Sequence, residues 1–240
     1  MKYAILSDIH ANLEALEAVL DDAKKNNVSQ YACAGDIVGY NADPKECLKI
    51  LRKLKATTVQ GNHDYYAASK ESIERFSLVA KKSILWTRKK LSYQDRNFLC
   101  KLPITFNHPD FTLVHSSLNN PRDWGYVFNK NSAKAHFKNQ FSNLCFIGHT
   151  HVPLIFKNGE PIENKTSDYL QLKPNKQYLI NVGSVGQPRD RNPNASYVIY
   201  DSTEQVIQIR RIKYDIETTQ KKVREAALPF RNALRLKFGK

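Results

Sequence analysis

At 240 residues, with 41% hydrophobic and 25% charged positions, the chain is long enough to bury a full core and excludes the disordered and collagen-like classes. Lysine plus arginine (37) exceeds aspartate plus glutamate (23), giving +14, which favours anionic partners; yet Lys24-Lys25, Lys81-Lys82, Arg88-Lys89-Lys90 and Lys221-Lys222 are scattered and lack interleaved aromatics, so charge alone does not make a nucleic-acid binder. No apolar run approaches the ~20 residues of a membrane helix, and Met1 to Leu6 leads straight into a motif aspartate, so the expectation is a cytoplasmic protein with no membrane partner.

Lys2 to Ser7 reads as a strand, and Leu13, Leu16, Leu20 and Ala23 follow at helical spacing behind Asn12, a candidate cap. Tyr31 to Ala34 is a second strand; Asp43 and Pro44 then open a helix carrying Cys47, Ile50, Leu51 and Leu54. With Thr57 to Gln60 as a third strand, strand and helix alternate as a mostly parallel sheet requires. A helix is expected from about Lys70 to Lys90, and Ser92 with Asp95 forms a capping box for a short one ending before Pro103. Ile104 to Phe106 and Phe111 to Val114 pair around Asn107-His108-Pro109-Asp110.

The later half is strand-rich: Leu144 to Ile147, Pro153 to Phe156, Tyr169 to Leu172, Tyr178 to Val182, Tyr197 to Tyr200 and Val206 to Ile212. A helix from Ile216 to Ala227 is broken by Pro229 and followed by a basic helical stretch. No Pro/Gly/Ser linker divides the chain, so residues 1–240 are expected to form one domain with a basic helical tail from about 215. Cys33, Cys47, Cys100 and Cys145 show no pairing pattern and read as reduced core residues, while His108 and His136 read as exposed and structural.

The other five histidines sit in short polar segments behind apolar runs: Asp8-Ile9-His10, Gly35-Asp36, Gly61-Asn62-His63-Asp64, Val114-His115-Ser116 and Gly148-His149-Thr150-His151. Such segments gather at strand ends, where open α/β sheets place their sites. Asp8 and His10 are two residues apart and point to one side of an extended segment, as do His149 and His151. Gly35 permits a tight exit before Asp36, whose two oxygens could bridge two cations. Two carboxylates, one amide and four imidazoles favour Mn, Fe, Zn, Co or Ni over Mg, Ca or a cysteine-bound structural zinc.

This ordered set resembles the calcineurin-like metallophosphoesterase superfamily, and Asn181-Val182-Gly183-Ser184-Val185-Gly186-Gln187-Pro188-Arg189-Asp190 resembles its small bacterial phosphodiesterase and diadenosine-tetraphosphatase-like branch. The resemblance runs from Met1 to about Tyr214. It implies an α/β fold, a four-layer αββα sandwich of two mixed β-sheets flanked by helices. It further implies one metal on Asp8, His10, Asp36 and His151 and another on Asp36, Asn62, His115 and His149, with manganese foremost, and His63 as a non-ligand proton donor beside the scissile phosphate. Two departures stand out. Val38-Gly39-Tyr40-Asn41 replaces the Asp-Arg pair that follows the bridging aspartate in protein-phosphatase members, which speaks against a phosphoprotein substrate, and Val182 stands where the closer branch often has proline.

The chemistry so implied is hydrolysis of a small phosphoester or nucleotide by a metal-bridging hydroxide. His63, near its unperturbed pKa of ~6.5, would serve the leaving oxygen. Asp64 could orient His63, or cap the next helix; Arg189 could clamp a phosphate, or pair with Asp190; Asn12 could face the cleft, or only cap. Tyr40, Trp124 and Tyr126 could stack on a base or pack locally. Two rival functions remain: a nuclease, favoured by the basic charge and by Arg224, Arg231, Arg235 and Lys237 of the tail, and a scaffold that binds a protein partner after losing catalysis, as a related retromer subunit has. Completeness of the seven ligands and His63 speaks against the scaffold.

Overall fold

The computed structural model describes residues 1–157, 160–162 and 169–240. Its first half runs β1 (Lys2–Leu6), α1 (Leu13–Lys25), β2 (Gln30–Cys33), α2 (Pro44–Lys53), β3 (Thr57–Thr58), α3 (Asn62–Ala68), α4 (Leu78–Lys90), α5 (Tyr93–Cys100), β4 (Thr105–Asn107) and β5 (Thr112–Val114). Then come α6 (Lys130–Phe137), β6 (Leu144–Ile147), β7 (Leu154–Lys157), β8 (Glu160–Ile162), β9 (Tyr169–Gln171), β10 (Tyr178–Asn181), β11 (Ala195–Asp201), β12 (Val206–Ile212), α7 (Ile216–Glu225) and α8 (Phe230–Phe238).

Two six-stranded sheets form, in the orders β3-β2-β1-β11-β12-β9 and β4-β5-β6-β10-β7-β8. Each is mixed: β1, β2 and β3 run parallel while β11 joins β1 antiparallel, and β5, β6 and β10 run parallel while β7 joins β10 antiparallel. The alternation of side chains along a strand builds the layers. Tyr3 and Ile5 of β1, Phe146 of β6, Ile180 of β10 and Val198 and Tyr200 of β11 share the core between the sheets. Their neighbours Ala4, Leu6, Tyr197 and Ile199 pack under α1, α2 and α5 through Leu16, Leu48 and Leu99. On the far side, Cys145, Ile147 and Leu179 pack with Ala133 of α6. The four-layer αββα sandwich of two mixed β-sheets flanked by helices follows directly, replacing a mostly parallel sheet with mixed ones.

Several local expectations shift. Helix α4 begins only at Leu78, where Ser77 accepts from the Ala80 N–H at 3.3 Å. Upstream, Ser69 and Ser72 accept from the backbones of Glu71 and Glu74, so short polar side chains compete with the helix that periodicity suggested. Helix α3 and strand β8 carried no periodic signal, being short. His136 is not exposed: it is fully buried on α6, and its Nδ1 accepts from the Leu118 N–H at 3.1 Å. His108 is half-buried, stacked on Phe111 at 4.6 Å. Cys33, Cys47 and Cys145 are free and buried, whereas Cys100 is exposed on α5. Among the described residues, no helix is long and apolar enough to cross a membrane.

Candidate metal centre

Five of the strand ends meet in one place, and backbone hydrogen bonds between loops fix the approach. Asp8 N–H donates to the Gly35 carbonyl at 3.0 Å, His10 N–H to Asp36 at 3.0 Å and Ala11 N–H to Ile37 at 2.8 Å. Gly148 N–H donates to the His115 carbonyl at 2.9 Å, and Val185 and Gly186 donate to Ser7 and Asp8. These crossings hold Asp8, His10, Asp36, His149 and His151 in left-handed backbone, with φ of 51°, 48°, 54°, 67° and 60°. Non-glycine residues there cost about 1–3 kcal/mol each and persist only where the surroundings enforce them, a pattern that concentrates at functional sites. Gly35, at φ 94°, supplies the expected tight exit.

The seven candidate ligands are all buried and fall into two overlapping groups. In the first, the His151 Nε2 lies 3.1 Å from both the His10 Nε2 and the Asp8 Oδ1. In the second, the His115 Nε2 lies 3.1 Å from both the Asn62 Oδ1 and the His149 Nδ1. Asp36 joins the two: its Oδ2 is 3.6 Å from the His10 Nε2 and 3.3 Å from the His115 Nε2, while its Oδ1 accepts from the His63 backbone at 2.8 Å. Asp8 is anchored likewise, its Oδ2 accepting from Ser7 Oγ and the His149 N–H at 2.8 Å each, so that Oδ1 faces the histidines without a hydrogen-bond partner.

The imidazole tautomers follow from the outer nitrogens. The Nδ1 of His10, His115 and His151 can donate to the Val38, Ala34 and Gln187 carbonyls at 3.1, 2.7 and 2.6 Å, and the Nε2 of His149 to the Trp124 carbonyl at 2.8 Å. The inner nitrogens of His10 and His151 then turn lone pairs on each other at 3.1 Å, an arrangement that repels unless a cation lies between, while His115 and His149 face each other at the same distance. Metal–nitrogen and metal–oxygen bonds of ~2.0–2.2 Å place adjacent donors of one sphere roughly 3 Å apart, so the residues fit two cations sharing Asp36.

Electrostatics agree with a cation-ready cluster. Burial pushes His149 down to about 4 and His151 down to about 3, leaving both as neutral donors. Burial opposes charge on Asp36 and Asp8 too, but His115 and His63 beside the first, and His151 and His10 beside the second, hold both carboxyls well below the usual range. His115 runs the other way: against its burial, Asp36 raises it to about 9, so in the metal-free protein it holds a proton that a cation there would displace.

His63 stands at the edge of the cluster, with its ring 4.9 Å from that of His10 and 4.4 Å from Tyr40. It also forms a set with His10 and Asp36 whose donor atoms lie within 4.8 Å of one another. Its pKa is not near the unperturbed value: burial lowers it well below, only partly offset by Asp36. Asp64 does not orient it. The Asp64 carboxylate accepts from the Ile37, Val38 and Gly61 N–H groups at 2.9, 3.2 and 3.2 Å, tying the bridging-aspartate loop to the start of α3.

Asn12 is corrected to a structural role. It is fully buried, its Oδ1 accepting from the Ala15 N–H at 3.1 Å and from Thr219 Oγ1, and its Nδ2 donating to the Gly186 carbonyl at 2.9 Å, which holds the side chain inside the fold and off the cavity wall. Arg189 takes the opposite course. Asp190 pairs instead with Arg211 at 2.7 and 3.0 Å, and the Arg189 guanidinium lies 5.6 Å over the Tyr40 ring with its buried Nε unpartnered. A cavity of about 910 Å³ opens above the cluster, with Asn62, His63, His149, Tyr40, Trp124, Tyr126 and Arg189 among its walls. Tyr40 is buried against His10 and His63, whereas Tyr126, 52% exposed, stacks on His149 at 4.2 Å.

Some contributors carried no sequence signal. Trp124 holds His149 through a backbone carbonyl, which side-chain identity cannot reveal. Gly148 is needed because a Cβ there would lie 2.3 Å from the Asp8 Oδ2 and 1.9 Å from the Ser7 Oγ. Asn181, donating to the Gly148 carbonyl and Thr150 Oγ1 at 2.6 and 2.8 Å, positions the loop that bears both histidines.

Comparison with known proteins agrees with this geometry. The family model of the calcineurin-like phosphoesterase superfamily domain matches residues 1–205. An uncharacterised protein of Methanocaldococcus jannaschii is 38% identical over 231 residues, 94% of this chain and 93% of its own length. The crystal structure of a metallophosphoesterase from Sphaerobacter thermophilus, 38% identical, superposes with a TM-score of 0.90 over 100% of this chain and 99% of its own. A hypothetical protein of Pyrococcus horikoshii, at 19% identity and covering 100% and 98% of the two chains, shares the fold with a TM-score of 0.83.

Proposed function

Because the chain belongs to the calcineurin-like phosphoesterase superfamily, we propose that it is a dinuclear metal-dependent phosphoester hydrolase acting on a small phosphoester or nucleotide. The observation that carries this reading is the pair of inward-facing imidazole sets, His10 with His151 and His115 with His149, each at 3.1 Å and joined through Asp36. Asp8, His10, Asp36 and His151 would hold one cation; Asp36, Asn62, His115 and His149 would hold the other. When bound, such cations neutralise phosphoryl charge and lower the pKa of water towards ~7. Mn is the ion proposed first, with Fe, Zn, Co or Ni as alternatives that the four imidazoles also suit.

The remaining work falls to the chain's own groups. Asp36, anchored through Oδ1 by the His63 backbone, keeps Oδ2 aimed between the two donor sets. His63, neutral while the cleft is empty of anion, gains basicity when a phosphate's negative charge arrives and can then hand a proton to the leaving oxygen. Arg189, without an acidic partner among the described residues, is free to grip a non-bridging phosphate oxygen.

The test is hydrolysis of bis-p-nitrophenyl phosphate and p-nitrophenyl phosphate by metal-stripped protein resupplied with Mn, Ni, Co, Zn or Mg. Metal-dependent turnover is expected, and the ratio of the two rates gives the diester or monoester preference. Silence towards these and towards nucleotide phosphoesters, with two ions bound, would overturn the reading. The exposed Arg75, Arg122 and Arg231 on the cavity wall keep a nuclease as the second reading, for which binding to single-stranded DNA must fall steeply with salt.

A further inference from the structure

Two cationic side chains share the cleft, and among the described residues no aspartate or glutamate side chain pairs with either of them. Arg189 donates through Nη2 to the Gln187 Oε1 at 2.8 Å, and Arg235 of α8 donates through Nη1 to the same oxygen at 3.3 Å. The Arg235 Nε is satisfied by the Lys240 carbonyl, while the buried Arg189 Nε has no partner. Asp190, the nearest acid in sequence, is committed to Arg211, and the one carboxylate on the cavity wall is the exposed Asp123. Placing two half-buried guanidiniums on one amide oxygen is unfavourable in the free protein: burial, and then the charge of Arg189, lowers Arg235 to about 10. An anion between them removes that penalty.

The position of Arg235 is built rather than accidental. Asn232 of α8 donates to the Tyr40 carbonyl and to Ser83 Oγ, each at 2.9 Å, seating the helix against the loop that flanks the metal cluster and against α4. Gln220 of α7 donates to the Ala233 carbonyl at 2.7 Å, and the Arg191 N–H to the Gly239 carbonyl at 2.8 Å. Both α7 and α8 lie beyond residues 1–205, the part matched by the family model, yet α8 delivers Arg231 and Arg235 to the same cavity wall as His63, His149 and Arg189.

We infer that α8 completes the substrate site: Arg235 and Arg189 form a second anion subsite, and the preferred substrates are phosphoesters that carry a further phosphate beyond the scissile one. This rests on the proposed hydrolase for the place of the scissile phosphate and makes residues 1–240 one functional domain. A fork-shaped guanidinium suits a phosphate's paired oxygens better than a lysine ammonium does.

The test is calorimetry on manganese-loaded protein with two hydrolysis-resistant probes, the methylene analogue of ADP and the phosphonate analogue of AMP. The native protein should bind the two-phosphorus probe roughly 10–100-fold more tightly, as expected of charge-assisted hydrogen bonds. Arg235→Met should bring the ratio close to one, and Arg235→Lys should restore part of it; thermal unfolding checks that both variants fold. A ratio near one in the native protein, or a ratio unchanged in Arg235→Met, overturns the subsite. Hydrolysis of bis-p-nitrophenyl phosphate, p-nitrophenyl phosphate and nucleotide phosphoesters is read separately: silence towards all of them alongside a collapsing ratio would sink the hydrolase and leave the subsite standing.

Discussion

Substituting Asn62 by alanine separates the two donor sets most cleanly. Among its side-chain contacts the Oδ1 meets only the His115 Nε2, at 3.1 Å, and the residue lies on the cavity wall at the first position of α3. Truncation therefore opens no enclosed void, and alanine is the better helix former. The metal-free variant should unfold within about 1 kcal/mol of the parent, the centre of the range for single substitutions. With metal the outcome differs. A cation present at 100 times its Kd stabilises by about 2.7 kcal/mol, so two such cations give about twice that. Losing one donor should weaken the second cation by at least the ~10–100-fold seen for outer-shell changes, which removes from about half to most of its share at that concentration. Element analysis after dialysis should fall from two ions to one per chain, and turnover should fall in step. Two retained ions with undiminished turnover would refute the assignment of Asn62, and a variant already unfolded without metal would refute the claim that its role is confined to the cleft.

Three further outcomes are expected. His63→Ala should keep both ions but slow turnover by roughly 10²–10⁴-fold, and rates within a few-fold of the parent would remove the proton-donor role. Gly148→Ala brings a Cβ to 2.3 Å from the Asp8 Oδ2, so it should release the cation on Asp8, His10 and His151 while keeping the one on Asn62, His115 and His149; element analysis showing two ions would contradict that. His136, pushed down to about 4 by burial, binds its proton more weakly folded than unfolded. Its contribution is whole above the unfolded value of ~6.5 and is lost progressively as pH falls to about 4, by about 3 kcal/mol in all. Urea unfolding at pH 7 and pH 4.5 should show a smaller stability loss for His136→Gln than for the parent, and equal losses would exclude His136 as the source.

The gathering of the site was legible because each segment announces itself twice, once by an apolar run and once by the polar residues after it. Ile5 and Leu6 before Asp8, Ala32 and Cys33 before Asp36, and Phe146 and Ile147 before His149 are buried strands whose ends can point only into one cleft. Contacts that depend on the backbone were not legible. Asn12 shows the limit: Asn is both a good cap and a good ligand to phosphate, and only the positions of Thr219 and Gly186, about 200 residues away in sequence, hold it in the interior. His136 failed for a related reason, since a polar helix surface gives no sign that Leu118 will bring a backbone N–H onto one of its histidines.

Arg189 and Arg235 sharpen the point. Read locally, Asp190 beside Arg189 suggests an ion pair, and the tail arginines favour a polymer-binding surface. The fold reverses the first reading through Arg211, which projects from β12 and takes both Asp190 oxygens together with the Asn192 carbonyl at 2.8 Å. Neutralising Asp190 there releases Arg189 towards the metal cluster, and α8 then adds charge of the same sign. Such an arrangement disfavours the empty cleft and favours the occupied one, which is the direction a substrate site requires. The left-handed backbone at Asp8, His10, Asp36, His149 and His151 works in the same sense: local conformational preference is sacrificed where the donors converge, and loop-to-loop hydrogen bonds to the Gly35, Asp36 and His115 carbonyls hold the geometry in place. Both features are invisible residue by residue, because each exists only when distant segments close on one another.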